Sequence, residues 1–364
     1  MLVNILNPKI KSFGLDISDR SLKLVQIEKR RKKNILVSFG RIDVPPGIIK
    51  AGEIKEPEKL SLLIKKLIKN VKGKKISSPY VVACLPEEKT FSQVIILPKM
   101  TEREAKQAIR FEAEKYIPYS VEDVYLDCQK VIIENAQRDK IYVLLVALPK
   151  KIVDRCVKSL KLAGLKPISL EVESQSTVRA ILDQKKEKFP SSLILDIGAT
   201  RTGFMIFSGT SLRFTTSIPV SSGSFTKSIS KTLKIDFQKA EEMKIKYGIS
   251  KRTKRAREVF EAIIPPLTDL TEQIKKYIEY YHARAQKDPS FANGIKIEKI
   301  FLTGGGAKMK GLKEYFQEEF GLPTYLADPL INVEVLGNFP KDQALEYANA
   351  IGLALRAAQE NELY

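Results

Sequence analysis

One short pattern occurs twice in this chain, as GLDISDRSLKL at residues 14–24 and as ILDIGATRTGF at residues 194–204. Each copy is an apolar run through Leu-Asp-Ile, a tight polar turn, and a second run of β-formers. A strand, a polar turn and a strand used twice point to a duplicated α/β unit with a cleft between its halves. The flanks repeat too. Phe13–Ile17, Leu22–Glu28 and Ile35–Val44 read as three antiparallel strands, and Tyr80–Leu85 as a further buried one. In the second copy Leu193–Ile197, Phe204–Phe207 and Leu212–Ile218 are strands, followed by helices over 222–234 and 237–247. Before Tyr80, Leu60, Leu63, Ile64, Leu67, Ile68 and Val71 fall at helical spacing with lysines between them. Packing against a sheet explains that helix; the other reading is a basic amphipathic helix on a membrane.

Between the copies lies a stretch that does not repeat. Phe91–Leu97 is a strand, Thr101–Tyr116 a helix, and Val124–Glu134 with Lys140–Leu148 a strand pair. Helix Lys150–Ala163 stops at Gly164. Thr101 and Glu104 form a capping box, in which each side chain satisfies the other residue's backbone N–H. Residues 89–165 therefore read as an inserted small α/β domain. Residues 11–88 with 166–191 make the first half, and 192–364 the second. Farther on, Pro265-Pro266 is expected to kink or restart a helix over 256–286, and a last helix is expected over 341–360.

Composition removes several function classes. The longest apolar run, Ile141–Leu148, has eight residues, well short of the ~20 needed to cross a bilayer. The N-terminus reads as no signal peptide. Three scattered cysteines suit a reducing cytoplasm and form no disulfide framework. A single histidine leaves almost no material for a zinc site or a Ser-His-Asp triad. The net charge is +19, but its sharpest clusters, Lys29–Lys33, Lys72–Lys75 and Lys251–Arg257, lack interleaved aromatic residues. A nucleic-acid surface wants both cations and stacking platforms, so nucleic acid is not the expected partner; a membrane-side role fits the charge better.

The chemistry concentrates at three places. Phosphates want backbone N–H groups presented by a tight turn, and Mg²⁺ keeps its waters while one or two carboxylates hold them. Asp16 and Asp196 each end a strand before such a turn. The third place is Thr303-Gly304-Gly305-Gly306-Ala307, where strand Ile297–Leu302 runs into three glycines and then a helix. Glycine there lets a ligand approach the backbone. The spacing is not that of a Walker loop.

These elements, in this order, resemble the actin-like ATPase superfamily, whose fold is the duplicated ribonuclease H-like α/β unit with a nucleotide cleft. Within it the chain is most similar to the PilM family of type IV pilus assembly proteins. Residues Ala108–Gln129, Phe214–Thr226, Ala240–Gly248, Thr303–Leu312 and Ala348–Leu353 carry that resemblance, which runs from about Lys11 to Ala358. It implies ATP and Mg²⁺ as cofactors, with Asp16 and Asp196 holding the metal through water. Ser18 and Lys23 on the first hairpin, and Gly198, Thr200 and Thr202 on the second, would lie at the phosphates. Glu173 matches a group near the attacking water. Glu241 and Lys244 match the helix flanking adenosine, and Gly304, Gly305 and Gly306 the turn beneath it. The family's first turn carries glycine where this chain has Ser18, and Ser221-Ser222 replaces two further glycines. If Ser18 had to be left-handed, the strain would be about 1–2 kcal/mol, so weakened nucleotide binding and weak or absent hydrolysis are expected.

The resemblance further implies a cytoplasmic scaffold of the pilus inner-membrane assembly complex that docks the N-terminal peptide of the membrane protein PilN. Phe111, Tyr116 and Ile117 of the inserted segment are candidate contacts, and membrane association would run through the partner. Homo-oligomer formation is left open. The alternative is a division ATPase like FtsA, which the short polar tail RAAQENELY argues against. A sugar kinase would need a catalytic base for which no aspartate stands in a matching motif. Residues 1–8, MLVNILNP, loosely resemble such a docking peptide and read as a free arm or as an occupant of the groove.

Overall fold

The computed structural model describes residues 11–31, 33–131, 139–287 and 296–360. The arm at residues 1–8 and the end of the strand expected to reach Glu134 lie outside them. Contacts divide the chain into two units: Met1–Thr90, Leu148–Lys185 and Asp328–Tyr364 in the first, Phe91–Ala147 and Lys186–Ala327 in the second.

In unit one, β1 (Ser12–Ile17), β2 (Ser21–Arg30) and β3 (Lys33–Asp43) form the expected antiparallel meander. Short strands β4 (Ile49–Lys50) and β5 (Glu53–Ile54) pair with each other and lead into α1 (Pro57–Lys69). β6 (Lys72–Gly73) returns to pair with β3, and β7 (Tyr80–Leu85) runs parallel to β1. From the later segments, β11 (Lys166–Val172) lies parallel to β7 and β17 (Glu334–Val335) parallel to β3, giving the order β11-β7-β1-β2-β3-β17. Helices α3 (Lys150–Leu162), α4 (Glu173–Ile181) and α9 (Ala348–Glu360) complete the unit. Alanine and glycine dominate α9, so its backbone can come close to the sheet. Gly14 of β1 faces it, and a Cβ there would sit 2.4 Å from the Ala354 amide nitrogen. Ser12 Oγ donates to the Ala357 carbonyl (3.0 Å), tying strand to helix.

Unit two holds the non-repeating segment and the second copy. β8 (Phe91–Pro98), β9 (Val124–Lys130) and β10 (Lys140–Pro149) form a sheet in the order β8-β10-β9, crossed by α2 (Glu102–Ala113). Its own core gathers Ile95, Leu97, Ile109, Ile117, Val143 and Leu145. The capping box at Thr101 is present as read. The second meander is β12 (Phe189–Ile197), β13 (Thr202–Gly209) and β14 (Ser211–Ile218). Helices α5 (Ser222–Leu233), α6 (Phe237–Tyr247) and α7 (Lys254–Lys287) follow, then β15 (Lys299–Thr303), α8 (Leu312–Phe320) and β16 (Thr324–Leu326). The sheet order is β14-β13-β12-β15-β16, with β12, β15 and β16 parallel. This repeats β3-β2-β1-β7-β11 of unit one strand for strand, so the internal echo reflects a duplicated topology.

Three details differ from the sequence reading. Helix α3, read with the inserted segment, packs in unit one beside α1, and residues 328–364 return to unit one. Helix α7 runs unbroken through Pro265 and Pro266; the missing N–H groups leave the carbonyls of Glu261 and Ala262 without their usual in-helix donors, yet no restart follows. The last helix begins as a 3₁₀ segment, Lys341–Tyr347, before α9.

Candidate functional site

Parallel strands end along the same sheet edge, and that edge collects side chains from distant parts of the chain. In unit one β1 ends at Asp16-Ile17, β7 at Cys84-Leu85, and β11 passes into Glu173 at the start of α4. The carboxylates of Asp16 and Glu173 and the sulfur of Cys84 consequently lie within 4.8 Å of one another. Asp16 is buried and faces Lys23 in the β1–β2 register, with the ammonium 2.9 Å from Oδ2. Its Oδ1 accepts from the Ser18 hydroxyl and the Asn349 amide, both at 2.9 Å. Asn349 Oδ1 in turn accepts from the Ser176 hydroxyl. The carboxylate is thus held on both oxygens, and a magnesium ion would meet it through water. Burial, and next the negative charges of Asp16 and Glu173, push the Cys84 thiol well above its ordinary range. A neutral thiol is a poor partner for Mg²⁺, which takes oxygen, so the donors that fit are the two carboxylates.

Ser18 has no left-handed backbone, since the positive-φ residues other than glycine among those described are Arg31, Ala51 and Lys234. The strain expected at this position is absent. The Ser18 amide donates to the Ser21 carbonyl at 3.1 Å, and in the second hairpin the Gly198 amide donates to the Arg201 carbonyl at 2.9 Å. The same bond closes both turns. At the second tip Ala199 and Thr200 are exposed, and their amides have no protein acceptor among the described residues. Such amides suit an anion. Thr202, by contrast, is buried, and its hydroxyl donates to the Val220 carbonyl at 2.7 Å.

Strand pairing brings the glycines to Asp196, because Asp196 is level with Thr303 across the parallel β12–β15 pair. Gly304 follows with φ 81° and ψ 166°, a region essentially confined to glycine. A Cβ on it would fall 2.3 Å from Asp196 Oδ1, and one on Gly306 would fall 2.4 Å from Ile197 Cγ2. Ser221 caps α5 through a box with Ser224. The Ser222 hydroxyl accepts from the Lys244 ammonium at 2.6 Å; Thr226 Oγ1 and Glu241 Oε2 accept from it at 2.8 Å each. Burial lowers the Lys244 pKa, and its bond to Glu241 works against that shift. Lys244 therefore fastens α6 to α5.

The structure brings Asp16, Ser18, Lys23 and Glu173 together in unit one. In unit two it gathers Asp196, Gly198, Thr200 and the triglycine turn at one edge, with Glu241 and Lys244 at the α5–α6 junction. Sequence reasoning missed Cys84, Asn349 and Ser176. The ANAIGL stretch was a usable signal for Asn349, whose polar side chain interrupts the otherwise apolar run from Ala348 to Leu355. The thiols offer a test. Only thiolate is alkylated, and the Cys156 thiol is pushed up to about 12 by burial, while Cys128 is half-buried. Iodoacetamide on the native protein, read by mass spectrometry, should label Cys128 at least ~10-fold faster than Cys84 or Cys156. Labelling of Cys84 at the Cys128 rate would mean the Asp16 site is open to solvent.

Two sheets of one topology, each ending in an aspartate-bearing hairpin, define an actin-like fold. Solved structures agree. A chain of the PilM-PilN type IV pilus biogenesis complex superposes with a TM-score of 0.82 and 28% identity, covering 96% of this chain and 99% of that one. MreB5 of Spiroplasma citri bound to ADP gives a TM-score of 0.57 at 15% identity over 98% and 99% of the two chains, a likeness of fold alone. Among sequences, the cell division protein FtsA of Helicobacter pylori strain J99 is 25% identical over 242 residues, 62% of this chain and 48% of that protein. FtsA of Neisseria meningitidis is 26% identical over 65% of this chain and 56% of its own length, so these matches span about half of the relatives. The profile of the family described as "Type IV pilus assembly protein PilM" matches residues 14–358. This chain belongs to the PilM family of type IV pilus assembly proteins.

Proposed function

We propose that the chain is an ATP·Mg²⁺-binding scaffold of the type IV pilus inner-membrane assembly complex, working at its cytoplasmic face and docking the N-terminal peptide of PilN. The observation that carries this reading is the family match over residues 14–358, supported by the likeness to a chain from a complex with PilN. The site chemistry is compatible. In unit two the amides of the second hairpin tip would donate to phosphate, Asp196 would hold a magnesium ion through water, and Gly304–Gly306 would let nucleotide approach the backbone; in unit one Asp16 would offer the same carboxylate chemistry. Bound magnesium supplies the charge that neutralises the phosphates. Glu173 would orient a water, and Lys23 holds the Asp16 carboxylate in place through their 2.9 Å ion pair. Lys244, tied internally, stiffens the adenosine wall formed by α5 and α6 and offers no free cation. Of the three candidate docking residues, Phe111 and Tyr116 are exposed at 73% and 39%, whereas Ile117 belongs to the small-sheet core. Phe111 and Tyr116 thus keep the exposure that a docking contact needs, and Ile117 does not.

Isothermal titration of the full chain with ATP·Mg²⁺, and then with a synthetic PilN N-terminal peptide, tests the reading. Saturable binding of both with slow turnover is expected. Rapid hydrolysis stimulated by a sugar would replace the scaffold with a kinase, and ATP-dependent sedimenting filaments would favour the FtsA-like alternative.

A further inference from the structure

Helices α1 and α3 of unit one run side by side in the same direction. Arg155, in the second turn of α3, donates to Glu53 Oε1 (2.7 Å) and to the Ile54 carbonyl (2.9 Å), just ahead of α1. One turn on, Lys158 pairs with Glu58 in the first turn of α1 at 2.7 Å. One further turn along each helix stands an exposed leucine: Leu62 on α1, 64% exposed, and Leu162 on α3, 41% exposed. The inner faces of both helices are used up in the core, through Leu60, Ile64 and Leu67 on α1 and Ile152, Cys156 and Leu160 on α3. The two leucines therefore cap an outer face that core packing does not explain. Beside them, Asp154, Val157, Lys158, Lys161 and Leu162 line a shallow groove along α3.

Cations surround this apolar pair. Lys65, Lys66 and Lys69 follow Leu62 on its own helix face at helical spacing, and Lys161 adjoins Leu162. All four are exposed, and none has a carboxylate partner among the described residues. The geometry points to a docking surface for an anionic bilayer, with Leu62 and Leu162 dipping below the headgroups and the lysines lying on the phosphates. Composition separates this occupant from an acidic protein. Protein interfaces deplete lysine and enrich arginine and aromatic residues; beyond the Arg155 and Glu58 contacts this face carries lysines and leucines with one carboxylate, Asp154, at the groove, and neither helix holds an aromatic residue. Lysine stems suit a membrane, because they cover apolar surface while the ammonium stays at the interface. This docking requires neither nucleotide nor PilN, so it stands or falls separately from the scaffold reading.

Co-sedimentation of the full chain with vesicles tests it, using phosphatidylcholine alone and phosphatidylcholine mixed roughly two to one with phosphatidylglycerol, a membrane of substantial negative surface potential. Binding is expected only to the mixed vesicles, weakening as salt rises. A Leu62→Ser/Leu162→Ser variant should bind about tenfold more weakly, since leucine burial drives the insertion. A Lys65→Glu/Lys66→Glu/Lys69→Glu variant should lose binding by more than about tenfold. A control with the same charge change elsewhere, Lys251→Glu/Arg252→Glu/Lys254→Glu, should keep most of it. Because all these side chains are on the surface, unchanged thermal melts establish that the variants fold. Equal loss in the control would reduce the effect to bulk charge and overturn the site. So would equal binding to phosphatidylcholine alone, or no binding to the mixed vesicles. Retention on immobilised poly-glutamate with the vesicles ignored would assign the face to an acidic protein instead.

Discussion

Replacing Gly352 by alanine should destabilise unit one by at least about 3 kcal/mol, the upper end of ordinary overpacking. A Cβ at this position would lie 1.8 Å from the Ser176 carbonyl oxygen and 2.4 Å from the Ser176 carbonyl carbon. Both atoms are backbone, so no change of rotamer relieves the clash, and α9 has to move away from α4. The movement disturbs two further contacts. Arg179 donates to the Gly352 carbonyl at 3.1 Å, and Ser176 holds the side chain of Asn349, three residues before Gly352 on α9. Asn349 in turn holds Asp16. A helix displaced for packing reasons therefore loosens the acidic end of β1 as well. In a thermal melt the transition of this unit should fall by roughly 6–12 °C. Gly203→Ala serves as control, because a Cβ there meets its nearest neighbours at 3.5 Å, an ordinary contact. If both variants melt with wild type, the close approach of α9 to α4 is not what holds the unit together.

Gly304→Ala should weaken ATP·Mg²⁺ binding by about 10–100-fold, the usual cost of disturbing a group that positions a metal's surroundings. Two effects act together. The backbone at φ 81° and ψ 166° costs a residue with a Cβ about 1–3 kcal/mol, and the new carbon would press on Asp196 Oδ1 at 2.3 Å. The carboxylate is then turned out of place or the turn is forced to open. Asp196→Ala removes the same carboxylate without touching the turn, and should give a loss of similar size by calorimetry. A double variant no weaker than either single change would show that the glycine acts through the aspartate, since coupled residues do not add. Nucleotide affinity unchanged in Gly304→Ala would remove the turn from the binding site.

Much of the fold was legible because it is local. The β1–β2 and β12–β13 hairpins appear in alternation and turn chemistry, Thr101 and Glu104 announce their own cap, and glycine at 164 ends α3 with φ 83°. The paired aspartates were visible because their neighbours repeat. Less could be read at Ser18, where the sequence suggested strain; the backbone avoids the left-handed region and the hydroxyl is used on Asp16. Lys244 was legible only as part of the helix matched to the adenosine side; that Ser222, Thr226 and Glu241 enclose its ammonium was not.

Patterns of period two and 3.6, together with caps and turn residues, act over a few positions, and they determined the elements, the duplication and the two acidic hairpins. Which distant residues meet was decided only by tertiary structure. Parallel pairing of β1, β7 and β11 carries Asp16, Cys84 and Glu173 to one edge, and the packing of α9 on β1 adds Asn349. Those contacts join positions 67 or more residues apart in sequence, as in the Ile17–Cys84 bond. No local rule encodes such meetings; they follow from the order in which strands join a sheet and from how closely a small-residue helix can approach it.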